Sequence, residues 1–215
     1  SLAPERPMIL LFPEGGWSEL LTAEMLECEQ NEAREIESAL RRRIYHHEHF
    51  SDDTVIEGHW EVRKAITNSG WGLEGARHES SEARGAWSFS PVLKKDEDLE
   101  KLVTPTISLD QAETDRRTTE AEELFGDILG VRTTGASRIS YHLMQQYTTL
   151  RGLEQMMIDM FENPGLLHAA MRRLTDGHKS VLEQYKKLNL LDLNNNWTYH
   201  SSGGVGYTDE IPLPG

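Results

Sequence analysis

A long helical pattern runs into a short apolar stretch, which then opens into a polar loop. No other feature constrains this chain more. Residues 164–188 place Leu167, Met171, Leu174, Val181, Leu182 and Tyr185 at helical spacing after Asn163-Pro164, and proline is well tolerated in a helix's first turn. Leu190, Leu191 and Leu193 follow, and the chain then breaks into Asn194, Asn195, Asn196, Trp197, Tyr199, His200, Ser201, Ser202 and three glycines. A helix feeding a buried strand that opens into such a loop is the half-unit of an α/β fold. Chemistry in these folds sits where strands end. Asn and Gly also make plain turns, but side-chain donors this dense point to a pocket lining.

The same grammar recurs upstream. Met8 to Phe12 is a five-residue apolar run closed by Pro13-Glu14-Gly15-Gly16-Trp17, which predicts a buried strand ending in a turn. Ser18 is the candidate N-cap of a helical pattern over 19–49, with an acidic middle that can split it in two. Residues 54–66 alternate as a strand would. Glu57 inside that strand has to be either paired or functional, because a buried unpaired carboxylate is expensive. Residues 69–90 have no period and read as an excursion or an irregular hairpin, pinned to the core by Trp71 and Trp87. A short helix at 96–102, a helix over 108–125 capped by Ser108 or Asp110, a strand at 128–131, and helices over 137–149 and 153–161 complete the pattern. Leu153, Met156, Met157 and Met160 share one face of the last, and methionine there reads as core filler. Four strands alternating with helices imply parallel strands covered by helices.

Composition excludes several roles. A net charge of −14 over 215 residues argues against nucleic acid or an anionic membrane as partner. No apolar run approaches the roughly 20 residues of a membrane helix, and the N-terminus lacks a signal pattern. Cys28 is the only cysteine, so no internal disulfide forms and a reducing, cytoplasmic setting is expected. The cluster His46, His47 and His49 fits no zinc spacing and suits a helix C-terminus. The chain begins on Ser1 and not on Met, which reads as a start that is not native.

Taken in order, these segments resemble the uroporphyrinogen decarboxylase superfamily, which includes the decarboxylase of haem biosynthesis and the cobalamin-dependent methyltransferases. Arg6-Pro7 with its apolar run resembles the opening strand, and Asp53-Thr54-Val55-Ile56 the second. Residues 135–152, with Tyr147 before Arg151-Gly152, resemble the segment after the third strand. Glu162-Asn163-Pro164 through Leu174-Thr175 resembles a family helix, and Leu193 through Ser202 the next strand end. The resemblance implies the N-terminal portion of a (β/α)8 TIM barrel, with parallel strands and extra helices and the C-terminal part absent. Where the decarboxylases carry an arginine-bearing loop that grips substrate carboxylates, this chain has Glu14, which would repel a substrate with eight carboxylates. Asn194 stands where they have Asp, and Glu57 is the nearest counterpart of their other acid.

A corrinoid-linked methyltransferase-type enzyme is therefore the leading expectation, acting on a small molecule or a corrinoid protein. A tetrapyrrole decarboxylase is the alternative, and a non-catalytic ligand-binding module a second one. Zinc and a corrinoid are implied for the parent protein, with no cofactor held by this stretch, since the family's zinc ligands come later in the chain. Glu57, Tyr147, Asn194 and His200 are the expected catalytic residues. Glu14, Trp17, Arg132, Asn196, Trp197, Tyr199, Ser201 and Ser202 are expected to bind substrate at the same strand ends. Closing a barrel with a filled interior takes about eight strands, so four would leave edges to be covered by folded-back helices, a missing C-terminal half or a second copy of the chain.

Overall fold

The computed structural model describes residues 6–75, 77, 78, 88–193, 195 and 196. The chain divides after Gly58. One unit runs up to Gly58 and takes in Asn195 and Asn196; the other is His59–Leu193.

The first unit opens on an extended segment, not a strand. The Ile9 N–H donates to Asp53 Oδ2 at 2.9 Å and the Leu11 N–H to Asp52 Oδ2 at 2.8 Å. Asp53 N–H returns a bond to the Ile9 carbonyl at 2.9 Å. Met8, Ile9 and Leu11 are 59%, 61% and 44% exposed, so the buried strand expected over 8–12 is corrected. The Ile9 and Leu11 amides are satisfied by carboxylates rather than by a neighbouring strand, so these two need no ladder partner.

A 3-10 turn, Glu14–Gly16, leads into the short helix α1, Trp17–Leu20, and a second turn, Ala23–Met25, precedes α2, Asn31–His49. Ser18 lies inside α1, where its hydroxyl donates to the Gly15 carbonyl at 2.8 Å instead of capping a long helix. The acidic stretch breaks the helix because α2 itself holds the loop. Glu37 accepts from the amides of Glu27 and Cys28 at 2.9 Å, and Arg34 donates to the carbonyls of Ala23 and Cys28 at 2.7 and 2.8 Å. These amide bonds, that of Cys28 foremost, hold the Glu37 pKa down at about 2.

In the second unit, β1 (His59–Arg63) pairs in parallel with β6 (Gly130–Thr134), His59 opposite Gly130 and Arg63 opposite Thr134. Beyond β6, Ala136 and Leu191 form an isolated parallel bridge. A Cβ on Gly135 would stand 2.3 Å from the Leu190 carbonyl oxygen, so only glycine lets the two backbones come this close. The strand expected over 190–193 is thus reduced to one bridge, with Leu190 fully buried behind it.

One antiparallel pair was not expected, β2 (Ala65–Asn68) with β5 (Ile107–Asp110); a second, β3 (Arg77–His78) with β4 (Ser88–Phe89), is the hairpin alternative read for residues 69–90. The single strand expected over 54–66 breaks where Ile66 N–H bonds the Lys64 carbonyl at 2.9 Å, a three-residue turn. Helix α3 (Gln111–Phe125) starts after β5, with Asp110 as its N-cap accepting from Glu113 N–H at 2.9 Å. Helices α4 (Leu143–Arg151), α5 (Leu153–Glu162) and α6 (Pro164–Lys187) follow.

The core is organised along α6. Leu166, Ala170, Leu174, Gly177 and Val181 form its buried stripe, the spacing of one helix face. Leu166, Ala170 and Leu174 join Leu93, Leu102, Tyr147, Leu150 and Met156 in one cluster; Val181 joins Ile107 and Leu190 in another. Trp71 packs on the first cluster, over Gly177, where a Cβ would lie 2.5 Å from the indole ring. Trp87 lies outside the described residues. The apolar face expected on α5 is corrected: Met156 alone of its four residues is buried, while Leu153, Met157 and Met160 are exposed. The fold is α/β, with a small parallel sheet and several helices, and no closed barrel forms among the described residues. No described helix is long and apolar enough to cross a membrane.

Candidate functional site

The first unit contains a cavity of about 400 Å³, within the size range of small-ligand sites. Leu11, Phe12 and Pro13 form one wall and Thr54, Val55 and Ile56 another, with Glu14, Trp17 and Glu57 beside them and Arg42, Arg43 and His46 reaching in from α2. Trp17 is fixed by Tyr45 and Phe50, at ring centroid distances of 6.0 and 6.3 Å. The Arg42 guanidinium carbon lies 5.6 Å from the centre of the Trp17 ring, inside cation–π range.

The run Arg41-Arg42-Arg43 divides because successive helix residues point about 100° apart. Arg41 turns away to Glu37 and Glu27, at 2.7 and 3.0 Å, while Arg42 and Arg43 line the cavity. His46 is buried, with Nε2 3.0 Å from both oxygens of Asp52. Burial pushes the Asp52 carboxyl up, but bonds from Leu11 N–H, the Thr54 hydroxyl and the His46 ring outweigh it and leave its pKa below the ordinary value. Glu14 sits at the rim with a φ of 45°, a conformation that costs a non-glycine residue about 1–2 kcal/mol.

Of the residues expected at the site, the structure brings Glu14, Trp17 and Glu57 together on this cavity. Glu57 lies before β1 and outside any strand. Asn196 is buried in the same unit. Asn194, Trp197, Tyr199, His200, Ser201 and Ser202 lie outside the described residues. Arg132 is exposed on β6, 3.5 Å from Glu61.

Tyr147, expected to line a pocket, instead stands fully buried in the core of the second unit. Its hydroxyl donates to Asp159 Oδ2 at 2.8 Å, and Arg151 grips the same carboxylate through Nε and Nη2 at 2.7 and 2.8 Å. The remaining arm of Arg151 donates to the Leu93 and Lys94 carbonyls. Arg151 holds the Asp159 pKa at about 2, while burial and the Asp159 carboxylate push the Tyr147 hydroxyl far up. This is a closed, mutually satisfied cluster that fixes α4 against α5.

Nothing in the residue pattern singles out Arg42 and Arg43, and the cluster of His46, His47 and His49 reads there only as helix-end histidines. Their spacing along α2 acquires meaning only once the 11–17 and 54–57 segments lie against the helix. Nor does the one cysteine suit a zinc thiolate: burial and the Glu37 carboxylate raise the Cys28 thiol, whereas a metal-binding or reactive thiol is lowered. Against known proteins, the chain matches no family model, no curated protein and no solved structure.

Proposed function

We propose that this chain is the N-terminal portion of a uroporphyrinogen decarboxylase-like (β/α)8 barrel of the corrinoid-linked methyltransferase type, whose small substrate occupies the cavity of the first unit. The fold part of the proposal is supported by β1, β6 and the Leu191 bridge, which follow one another in parallel and in sequence order, with helices between successive members. Sequential parallel neighbours joined by helices are the repeat from which such barrels are built.

The functional part is carried by the makeup of the cavity. Its volume suits a small organic molecule, and Glu14 stands on its rim where a tetrapyrrole decarboxylase would present arginines. One observation favours the decarboxylase alternative: Arg42 and Arg43 reach the same cavity from α2, and guanidinium groups suit carboxylates. The full-length gene product, incubated with cob(I)alamin and candidate methyl donors, distinguishes the two. Methylcobalamin formation followed by absorbance supports methyl transfer. Carbon dioxide release from uroporphyrinogen without any corrinoid reaction would overturn it in favour of decarboxylation.

A further inference from the structure

We propose that the cavity of the first unit is a binding site for a small organic monocarboxylate with a flat apolar body, its carboxylate on Arg42 and its body beside Trp17. The inference deepens the proposed function by naming the substrate class of the same cavity, and it rests on that reading only for its link to turnover.

Three observations carry it. The first is the state of Arg42. On the same helix, Arg34 spends its guanidinium on backbone carbonyls and Arg41 on two carboxylates. Among the described residues Arg42 has neither a hydrogen-bond acceptor nor a carboxylate partner; it faces only the Trp17 ring. A guanidinium is planar and presents paired donors that match a carboxylate edge to edge. A solvated arginine alone would be ordinary, but this one stands on a concave wall with a tryptophan beneath it.

The second is the wall itself. Leu11, Val55 and Ile56 remain 44%, 48% and 43% exposed while lining the cavity. Apolar side chains gathered on a concave surface with a few convergent polar groups are the usual makeup of a small-molecule site.

The third is the distribution of charge, which sets the number of carboxylates. Glu14 and Glu57 share the cavity with Arg42 and Arg43, and the His46 Nε2 is taken up by Asp52. A second carboxylate on the ligand would approach Glu14, so one anionic group is favoured over several.

The test uses benzoate as the probe, with benzamide as its uncharged isostere, phthalate as the dianion and cyclohexanecarboxylate as the non-planar acid, all by titration calorimetry on the purified chain. Benzoate is expected to bind about tenfold or more tightly than benzamide, the effect of one charge-assisted contact. Phthalate and cyclohexanecarboxylate are expected to bind more weakly than benzoate. Arg42→Met should lose about tenfold or more in benzoate affinity and Arg42→Lys less. Arg42 is exposed, so neither change threatens folding, and circular dichroism checks that. Benzamide binding as tightly as benzoate, benzoate affinity unchanged in Arg42→Met, or no benzoate binding by the folded chain would each overturn the inference. Benzoate bound through Arg42 without any methyl transfer would count against the proposed function and leave this inference standing.

Discussion

Replacing Asp159 by alanine should destabilise the second unit severely, and the structure sets the scale. Asp159 is 1% exposed and accepts four hydrogen bonds: two from Arg151, one from the Tyr147 hydroxyl and one from Gln155 at 3.1 Å. The Arg151 side chain is 8% exposed, so alanine would strand a guanidinium that keeps only the Leu93 and Lys94 carbonyls as partners. Breaking one side of a buried pair costs about 3–5 kcal/mol. An exposed pair such as Lys186–Glu183 is worth at most about 1 kcal/mol. At about 2–4 °C per kcal/mol for a chain of this size, Asp159→Ala should lower the Tm by about 6–20 °C. The triple variant Asp159→Leu, Arg151→Met, Tyr147→Phe removes every charged member and should recover most of that loss. Urea unfolding followed by circular dichroism reads both. A single-variant loss below about 1 kcal/mol, or a triple variant less stable than the single, would refute the assignment of this cluster as a buried, charge-compensated lock.

The same cluster predicts acid sensitivity. The Asp159 pKa is held at about 2, below its unfolded value of about 3.9. Its stabilisation is therefore complete above about pH 4 and is lost as pH falls toward 2; urea midpoints compared on either side of that window check the sign. Asp53, also held at about 2, first by Arg6 and then by the Ile9 amide, should release the 6–11 segment in the same window, read as faster proteolysis there. Gly177→Ala should destabilise by about 1–3 kcal/mol through overpacking against Trp71, even though alanine favours helix by about 1 kcal/mol; Trp71→Leu should rescue it, and equal stability of Gly177→Ala and the parent would contradict the close approach.

The parts of the fold legible in the sequence were those fixed by local chemistry. Asn163-Pro164 marks the start of α6 because Asn163 Oδ1 accepts the Leu166 amide at 3.2 Å and proline needs no amide partner. Asp110 marked α3 for the same reason. The apolar run at 8–12 misled because hydrophobicity reports burial only when a partner surface exists, and here the partners are two carboxylates that bind backbone. The β2–β5 pair escaped notice since four-residue strands give little alternation to detect. At the site, Glu14 and Trp17 were legible as the polar and aromatic end of an apolar run, and Glu57 as a carboxylate inside an apolar, alternating stretch. Arg42 was not, because a helix in an acidic chain carries many exposed cations; His46 was visible only as one of three histidines near a helix end, and its burial against Asp52 depends on how the 52–54 segment folds back.

The parallel ladder between β1 and β6 also has a kinetic consequence. All of β2 through α3 lies between its two strands, and all of α4 to α6 lies between Ala136 and Leu191. Helices form within about a microsecond, but these pairings must wait for long loops to close. During refolding α6 is therefore helical well before the Leu190 backbone reaches the close approach at Gly135. Until that bridge forms, Val181 on α6 and Ile107 on β5 lack Leu190 as their apolar partner. Refolding yield should accordingly fall as protein concentration rises, even where equilibrium stability is ample.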